Sequence, residues 1–407
     1  MKMIGIPSYV AAALGLALLM VVHESGHFFT ARAFGMRVTK FSIGFGPTFF
    51  KIEPKDGYFW FTTAAGKVRL RLWKHNPAKH GPTVYQVAMI PFLAYVQIAG
   101  MNPLEEIEPN DKGSYANASL LGRILTIFGG PAANYLFASV LFFVSVFFGG
   151  RMMRTTEVNV LEGRPAAAAN MKSGDKVVEI NGVAVKEFEE MAAIIADHPN
   201  VALPVVVERG GERVSLTVTP SLDHGRGRIG VGAVSTGKRV PVSARDAAVL
   251  ALKAPPVVVK DLVVGLSELV TGKAEGELMG PPGIVKEAAK AAQLGWTELM
   301  WFLGGLSAYL GAFNLIPFPA LDGGRLIFLG YEATTRKRPN ARVEAQIHFV
   351  GLCMMLGLIT YVSINNLRGK GGSSEPAAPP EASAPAKAGG APPASAAPAA
   401  EPAPSGK

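Results

Sequence analysis

One cysteine in 407 residues, Cys353, excludes a disulfide framework, and its apolar surroundings leave the redox compartment unread. Charge is scarce as well. Asp, Glu, Lys and Arg make up 17% of the chain against a globular norm of about 25%, while 49% is hydrophobic. From Ile4 to Val22 there is no charged residue at all, and as a helix that run is roughly 28 Å long, close to the thickness of a hydrocarbon core. No small-residue cleavage site precedes His23, so the segment reads as an uncleaved span and not a signal peptide. No internal repeat is evident, which weighs against a transporter with broken helices.

What is present is sharper. His23-Glu24-Ser25-Gly26-His27 is an HExxH motif at the end of that apolar run. On a helix, His23 and His27 share a face, so two imidazole nitrogens can converge on one metal. Glu24 then sits beside the metal without ligating it, the place of a general base toward water. Two histidines and an acid near membrane depth are costly if charged and unpaired, and ionisable groups at that depth are usually functional. The bland alternative is a pair of histidines satisfied by nearby carbonyls. The motif is also incomplete: a catalytic zinc takes three protein ligands, and no third histidine follows at the metzincin or thermolysin-like distance.

A second apolar run, Trp296 to Ile316, carries one charge, Glu298, and is broken by Pro317 and Pro319. Gly323-Gly324 then permit a tight re-entry of backbone, and a new helix is expected over Arg325 to Tyr331. Asp322 precedes it. Alone, this acid fits an N-cap as well as a ligand; with HExxH in the same chain the ligand reading is preferred.

HExxH in a first transmembrane helix with Asn314-Leu-Ile-Pro317-Phe-Pro319-Ala-Leu321-Asp322-Gly323-Gly324 in a later one resembles the site-2 protease family of intramembrane zinc metalloproteases, and within it the bacterial RseP type. The likeness runs through most of residues 1–368. Phe41-Ser-Ile-Gly-Phe-Gly46, Phe128-Gly-Gly-Pro131-Ala-Ala-Asn134 and Gly280-Pro-Pro-Gly-Ile284 resemble further segments of that family. The resemblance implies Zn2+ held by His23, His27 and Asp322, Glu24 as catalytic base, and Asn314 as a polar residue beside the substrate. It implies cleavage within transmembrane segments of single-span membrane proteins, as the second cut of regulated intramembrane proteolysis of an anti-sigma factor or remnant signal peptide. Two departures concern substrate handling. The family's PLGGYV segment is Pro91-Phe-Leu-Ala-Tyr-Val96, and one PDZ-like domain is readable where enterobacterial relatives have two.

The expected fold class is an α-helical polytopic membrane protein with four transmembrane helices, a membrane-associated β-hairpin region and one inserted PDZ-like, mixed α/β domain. The spans are placed at roughly 4–33, 119–149, 294–316 and 345–365. A net charge of +9 tempts a nucleic-acid reading, but its distribution follows the lipid bilayer. Arg32, Arg37, Lys40, Lys51, Lys67, Arg69, Arg71, Lys74 and Lys79 crowd the first connection, and Arg336, Lys337, Arg338 and Arg342 the third. Both connections are therefore expected in the cytoplasm, with the protein in a bacterial inner membrane and the 150–293 segment and C-terminal tail in the periplasm.

Lys67 to Trp73 alternates strictly, Tyr58 to Thr62 is β-prone, and Asp56-Gly57 is a turn signal, so a small sheet or hairpin is expected there. It would bind anionic lipid, or hold an unwound substrate by strand addition. Gly163-Arg-Pro-Ala166 and Met171-Lys-Ser-Gly174-Asp175 to Asn181-Gly182 resemble a PDZ domain, with a helix over 187–197 and strands over 205–208 and 213–219 across Gly210-Gly211. Such a domain would bind a peptide or a free C-terminus, or exclude bulky substrates. The divisions are 1–150, 155–221 for the PDZ-like domain, 222–293 as a linker with an interfacial amphipathic helix over about 255–271, 294–368, and an Ala/Pro-rich disordered tail, 369–407. The rival reading is a catalytically silent membrane scaffold that presents the PDZ domain.

Overall fold

Pro7 starts the first helix, where its missing N–H costs nothing. In the computed structural model that helix, α1, is Ile6–Ala33. The structure describes residues 5–367 apart from 65, 67, 78–80, 103, 106–107, 109, 224 and 272–278, so the tail expected beyond 368 lies outside the described residues. The described residues fall into two compact units, 5–153 with 235–367, and 154–234.

The second helix of the first unit, α2, is Leu120–Gly149; Ser119 caps it through its hydroxyl, which accepts from the Gly122 N–H at 3.1 Å. Glycines bring α1 and α2 together. A Cβ on Gly26 would strike the Gly129 carbonyl, and one on Gly129 would lie 2.7 Å from the Gly26 carbonyl oxygen.

The segment between these helices is larger than the small sheet or hairpin expected. It is a four-stranded antiparallel sheet of β1 Val38–Lys55, β2 Tyr58–Thr63, β3 Arg69–Lys74 and β4 Val84–Ile98, in the order β3-β2-β1-β4. The β1–β2 turn is made by Asp56 and Gly57 with φ of 51° and 75°, the paired positive values of a tight hairpin. Both long strands bend so that Lys40 pairs with Val84 as well as Gln97. Their sequences hide them: Gly44, Gly46, Pro47, Pro54 and Pro91 read as breakers, but the first three and Pro91 lie where the β1–β4 pairing shifts register, and Pro54 pairs with Phe59 in regular register. Phe28 and Ala31 of α1 pack with Met36, Val38, Phe41 and Ile98, which fixes the sheet against the end of that helix.

The 154–234 unit contains most of β5 Arg151–Val160, then α3 Pro165–Ala168, β6 Lys176–Ile180, β7 Val183–Ala184, α4 Phe188–Ala196, β8 Leu203–Arg209 and β9 Glu212–Val218. The helix and the last two strands match the periodicity of the sequence. Val177, Ile180, Met191, Leu203, Val205 and Val207 form its core. Beyond 221 the expected linker is instead structured, with β10 Ser221–Asp223, β11 Arg226–Arg228 and β12 Val231–Val240, the last joining β5 in the six-stranded sheet.

Next comes α5, Ala244–Val270, longer than the helix expected over 255–271. Pro255-Pro256 divide its sequence pattern, yet Ala251, Ala254 and Val258 bury one stripe against Ala138, Phe142 and Ala308. Then follow α6 Pro281–Leu294, α7 Trp296–Asn314, α8 Asp322–Thr335 and α9 Ala341–Leu367. Among the described residues three helices are long and apolar enough to cross a membrane: Ile6–Ala33, Leu120–Gly149 and Ala341–Ile364. The span expected at 294–316 is the 19-residue α7, long enough but not apolar enough to be one of those three. Small and polar residues lower its hydropathy. They also let it approach α2: Gly304, Ser307, Ala308 and Gly311 are buried, and a Cβ on Gly311 would lie 2.9 Å from the Pro131 carbonyl oxygen.

Candidate active site

One turn of helix separates His23 from His27, so both rings leave the same face of α1. They are 5% and 7% exposed. The third member comes from 295 residues further along the chain. After α7 ends, Ile316 to Leu321 cross as irregular backbone and α8 begins with Asp322. Gly323 and Gly324 are obligatory here, since a Cβ on either would run into the carbonyls of Ile316 and Phe318 respectively. Asp322 is not a cap: the N-cap position is Leu321, and Asp322 is the first residue of the helix.

His23 Nε2 lies 3.2 Å and His27 Nε2 3.4 Å from Asp322 Oδ2, and the two Nε2 atoms are 3.3 Å apart. A tetrahedral metal bonded at about 2.0–2.2 Å holds its ligand atoms roughly 3.3–3.5 Å apart. Proton accounting points the same way. His27 Nδ1 is 2.8 Å from the Thr126 carbonyl oxygen, which can only accept, so Nδ1 carries the proton and a neutral ring turns a bare Nε2 lone pair to the centre. On His23, Nδ1 is 3.2 Å from the Asn134 side-chain amide, whose oxygen has no partner among the described residues. With that amide turned so the oxygen accepts from Nδ1, His23 also offers a bare Nε2. Asp322 Oδ2 is itself buried and has no hydrogen-bond donor among the described residues. Three acceptors converging without a proton need a cation between them, and the donor set suits zinc.

Glu24 stands outside that triangle. Its Oε2 accepts the Val96 N–H at 3.0 Å, which ties the carboxylate to the Ala94–Ile98 half of β4. Asn314 is half-buried at the end of α7, and its amide donates to the Leu310 carbonyl of its own helix at 2.9 Å. Among the described residues no hydrogen bond joins it to the histidine–aspartate cluster.

The comparisons fit this centre. The model of peptidase family M50 matches residues 11–66 and 66–358. The chain belongs to that family. A protein of Nostoc sp. that carries the name of a candidate zinc metalloprotease is 32% identical over 365 residues, 86% of this chain and 93% of its own. Zinc metalloprotease RasP of Geobacillus kaustophilus is 26% identical over 86% of this chain and 95% of its own, and metalloprotease MmpA of Caulobacter vibrioides 28% over 86% and 93%. The crystal structure of the PDZ domain of an SdrC-like protein from Listeria monocytogenes aligns with 21% of this chain and 87% of its own, at 23% identity and a TM-score of 0.18.

This M50 peptidase is thus a zinc metalloendopeptidase. Sequence reading named three residues that the fold now brings together with Glu24 beside them. It missed the residues that hold the peptidase's rings. Thr126 acts through its backbone, so nothing in its side chain could announce it. Asn134 could have been found, because it closes the Gly-Pro-x-x-Asn segment on a helix otherwise poor in polar groups. Gly130 is a third: a Cβ there would sit 2.6 Å from His27 Cε1.

Proposed function

We propose that this peptidase cuts peptide bonds inside or beside the membrane-spanning segments of single-span proteins, with His23, His27 and Asp322 as zinc ligands and Glu24 as general base. The observation that carries the reading is the buried, donor-less Oδ2 of Asp322, which meets both Nε2 atoms on a helix long and apolar enough to cross a bilayer. Zinc, when bound, supplies Lewis acidity at the scissile carbonyl and lowers the pKa of a water to about 7. Glu24 removes the proton of the attacking water and returns it to the leaving amine. The Val96 N–H holds that carboxylate at one point, so it reaches the reacting atoms without a search.

A helical substrate hides its carbonyls in its own hydrogen bonds, and cleavage requires an extended segment. We assign that role to the Ala94–Ile98 half of β4, which adjoins Glu24; an unwound substrate adds to it as a strand, and Asn314 contributes a polar contact at the end of α7. The 154–234 unit is read as a PDZ-type filter that excludes substrates with bulky outer domains, from its Ser-Gly-Asp and Asn-Gly turns and the helix between strands β7 and β8. Basic residues on the first and third connections support a cytoplasmic placement for both, an inner-membrane location, and a periplasmic 154–234 unit. The biological step is then the second cut of regulated intramembrane proteolysis, on an anti-sigma factor or a remnant signal peptide.

The test uses detergent-purified protein, a model transmembrane substrate and metal analysis. Glu24→Gln is expected to keep zinc and lose about 10²–10⁴-fold in kcat. Asp322→Ala is expected to lose both zinc and activity. Cleavage by Glu24→Gln at the wild-type rate refutes the assignment of the base, and full zinc in Asp322→Ala refutes that of the ligand.

A further inference from the structure

The short crossing from α7 to α8 has an incomplete hydrogen-bond account of its own. Pro317 and Pro319 have no N–H. The Phe318 N–H goes to the Ile316 carbonyl at 2.7 Å, and the Leu321 N–H to the Phe318 carbonyl at 3.2 Å. The Ile316 N–H returns to the Phe313 carbonyl of α7, and among the described residues it is the Ala320 N–H that reaches past both flanking helices. It donates to Nδ1 of His348, on α9, at 3.0 Å. Ala320 is also the residue under strain, with φ at 76°, a left-handed conformation that a non-glycine residue holds only when its surroundings impose it. Asp322 is two residues further on.

A second contact from the same helix points to the same place. Gly351 shares a face with His348, one turn along α9, and a Cβ there would lie 2.7 Å from the Pro319 carbonyl oxygen and 2.8 Å from its carbon. The helix thus lies directly on the Pro319-Ala320 backbone. The rest of α9 touches little: Phe349, Val350, Leu352, Met354, Leu356 and Leu358 are exposed, as suits lipid. Phe328 of α8 packs near the His348 ring, with centroids 5.5 Å apart, so the acceptor is held from both sides of the crossing.

We propose that His348 is a positioning residue for the third metal ligand: by accepting the Ala320 N–H it fixes the left-handed turn that delivers Asp322 to His23 and His27. The inference rests on the reading of Asp322 as a ligand. With Nδ1 accepting, the ring is neutral and its proton is on Nε2. An asparagine side chain can place an acceptor oxygen near the Nδ1 position, whereas glutamine reaches the Nε2 position; this contrast separates the hydrogen bond from mere polarity or bulk.

The experiment measures zinc affinity of the full-length, detergent-purified protein by competition with a chromophoric chelator, alongside kcat and KM on one transmembrane substrate. His348→Leu and His348→Gln are expected to lose about 10–100-fold in zinc affinity, with kcat reduced and KM within twofold, while His348→Asn recovers most of both. Gly351→Ala, which leaves His348 in place but pushes on Pro319, is expected to weaken zinc in the same direction. If His348→Leu is not monodisperse, the Asn and Gln variants decide. Equal zinc affinity in His348→Asn, His348→Gln and wild type overturns the proposal. Asp322→Ala is run beside them: if it keeps zinc the ligand reading fails, and if it loses zinc while the His348 variants keep it, only the positioning role does.

Discussion

The amide of Asn134, in the middle of α2, lies 3.2 Å from Nδ1 of His23 on α1. Asn134 is fully buried, and 111 residues separate the two in sequence. The contact sets the His23 ring from behind, as the Thr126 carbonyl does for His27. It also means that α1 alone does not define the metal site: α2 supplies the backing for both rings.

From that contact, Asn134→Leu should lower zinc affinity by about 10–100-fold, because His23 loses the partner that sets its tautomer and tilt. Asn134→Asp, which keeps an acceptor, should lose less. Chelator competition on purified protein measures both, and a leucine variant with wild-type affinity would remove Asn134 from the centre.

Gly130 gives a test of packing. Gly130→Ala should displace the His27 ring and abolish most activity, since the added methyl group has no room beside the imidazole. Gly305→Ala is the control: no atom lies within 4 Å of a Cβ there, so the same change in α7 should leave activity and melting temperature unaltered. Thermal unfolding with parallel proteolysis assays separates a local effect at Gly130 from overpacking, which costs about 1–3 kcal/mol.

The proposed orientation rests on the basic connections. A topology reporter fused after Lys74 or Arg338 should read cytoplasmic, and one within 185–220 should read periplasmic. The reverse pattern would turn the site toward the other face of the membrane.

Acid should weaken the 154–234 unit through Asp175. Its buried carboxylate accepts two 2.7 Å hydrogen bonds from Arg209 and one from the Lys172 N–H at 2.8 Å. The Arg209 guanidinium holds its carboxyl below the ordinary carboxylate range. A lowered carboxyl stabilises the fold above its unfolded pKa, about 3.9, and that contribution fades as pH falls through the folded value. Asp175→Asn should therefore cost about 1–3 kcal/mol at neutral pH and less below about pH 4. Hydrogen exchange across 154–234 as a function of pH measures it; equal protection in both forms at pH 7 would contradict the assignment.

Residue chemistry at short range was readable from the chain itself. An i, i+4 pair of histidines with Glu24 at the end of an uncharged run points to metal chemistry because helical geometry alone puts both rings on one face. Prolines and paired glycines around Asp322 marked a break for the same local reason, as did Asp56-Gly57 for the β1–β2 turn and the β-branched run Val205 to Val207 for β8. Whether Asp322 capped its helix or faced the histidines could not be read locally, since an N-cap and a ligand require the same residue. The fold decides it by bringing the start of α8 to α1, with Oδ2 near both Nε2 atoms and no donor to it among the described residues. The long bent strands β1 and β4, the early start of α5 and the backing by Thr126 and His348 were likewise hidden, and Asn134 showed only as the end of a Gly-Pro-x-x-Asn segment with no role assigned. Each depends on partners between 28 and 111 residues away, or on prolines and glycines that break a pattern locally while serving a sheet or a helix contact. Local sequence sets which groups are available; only packing sets which of them face one another.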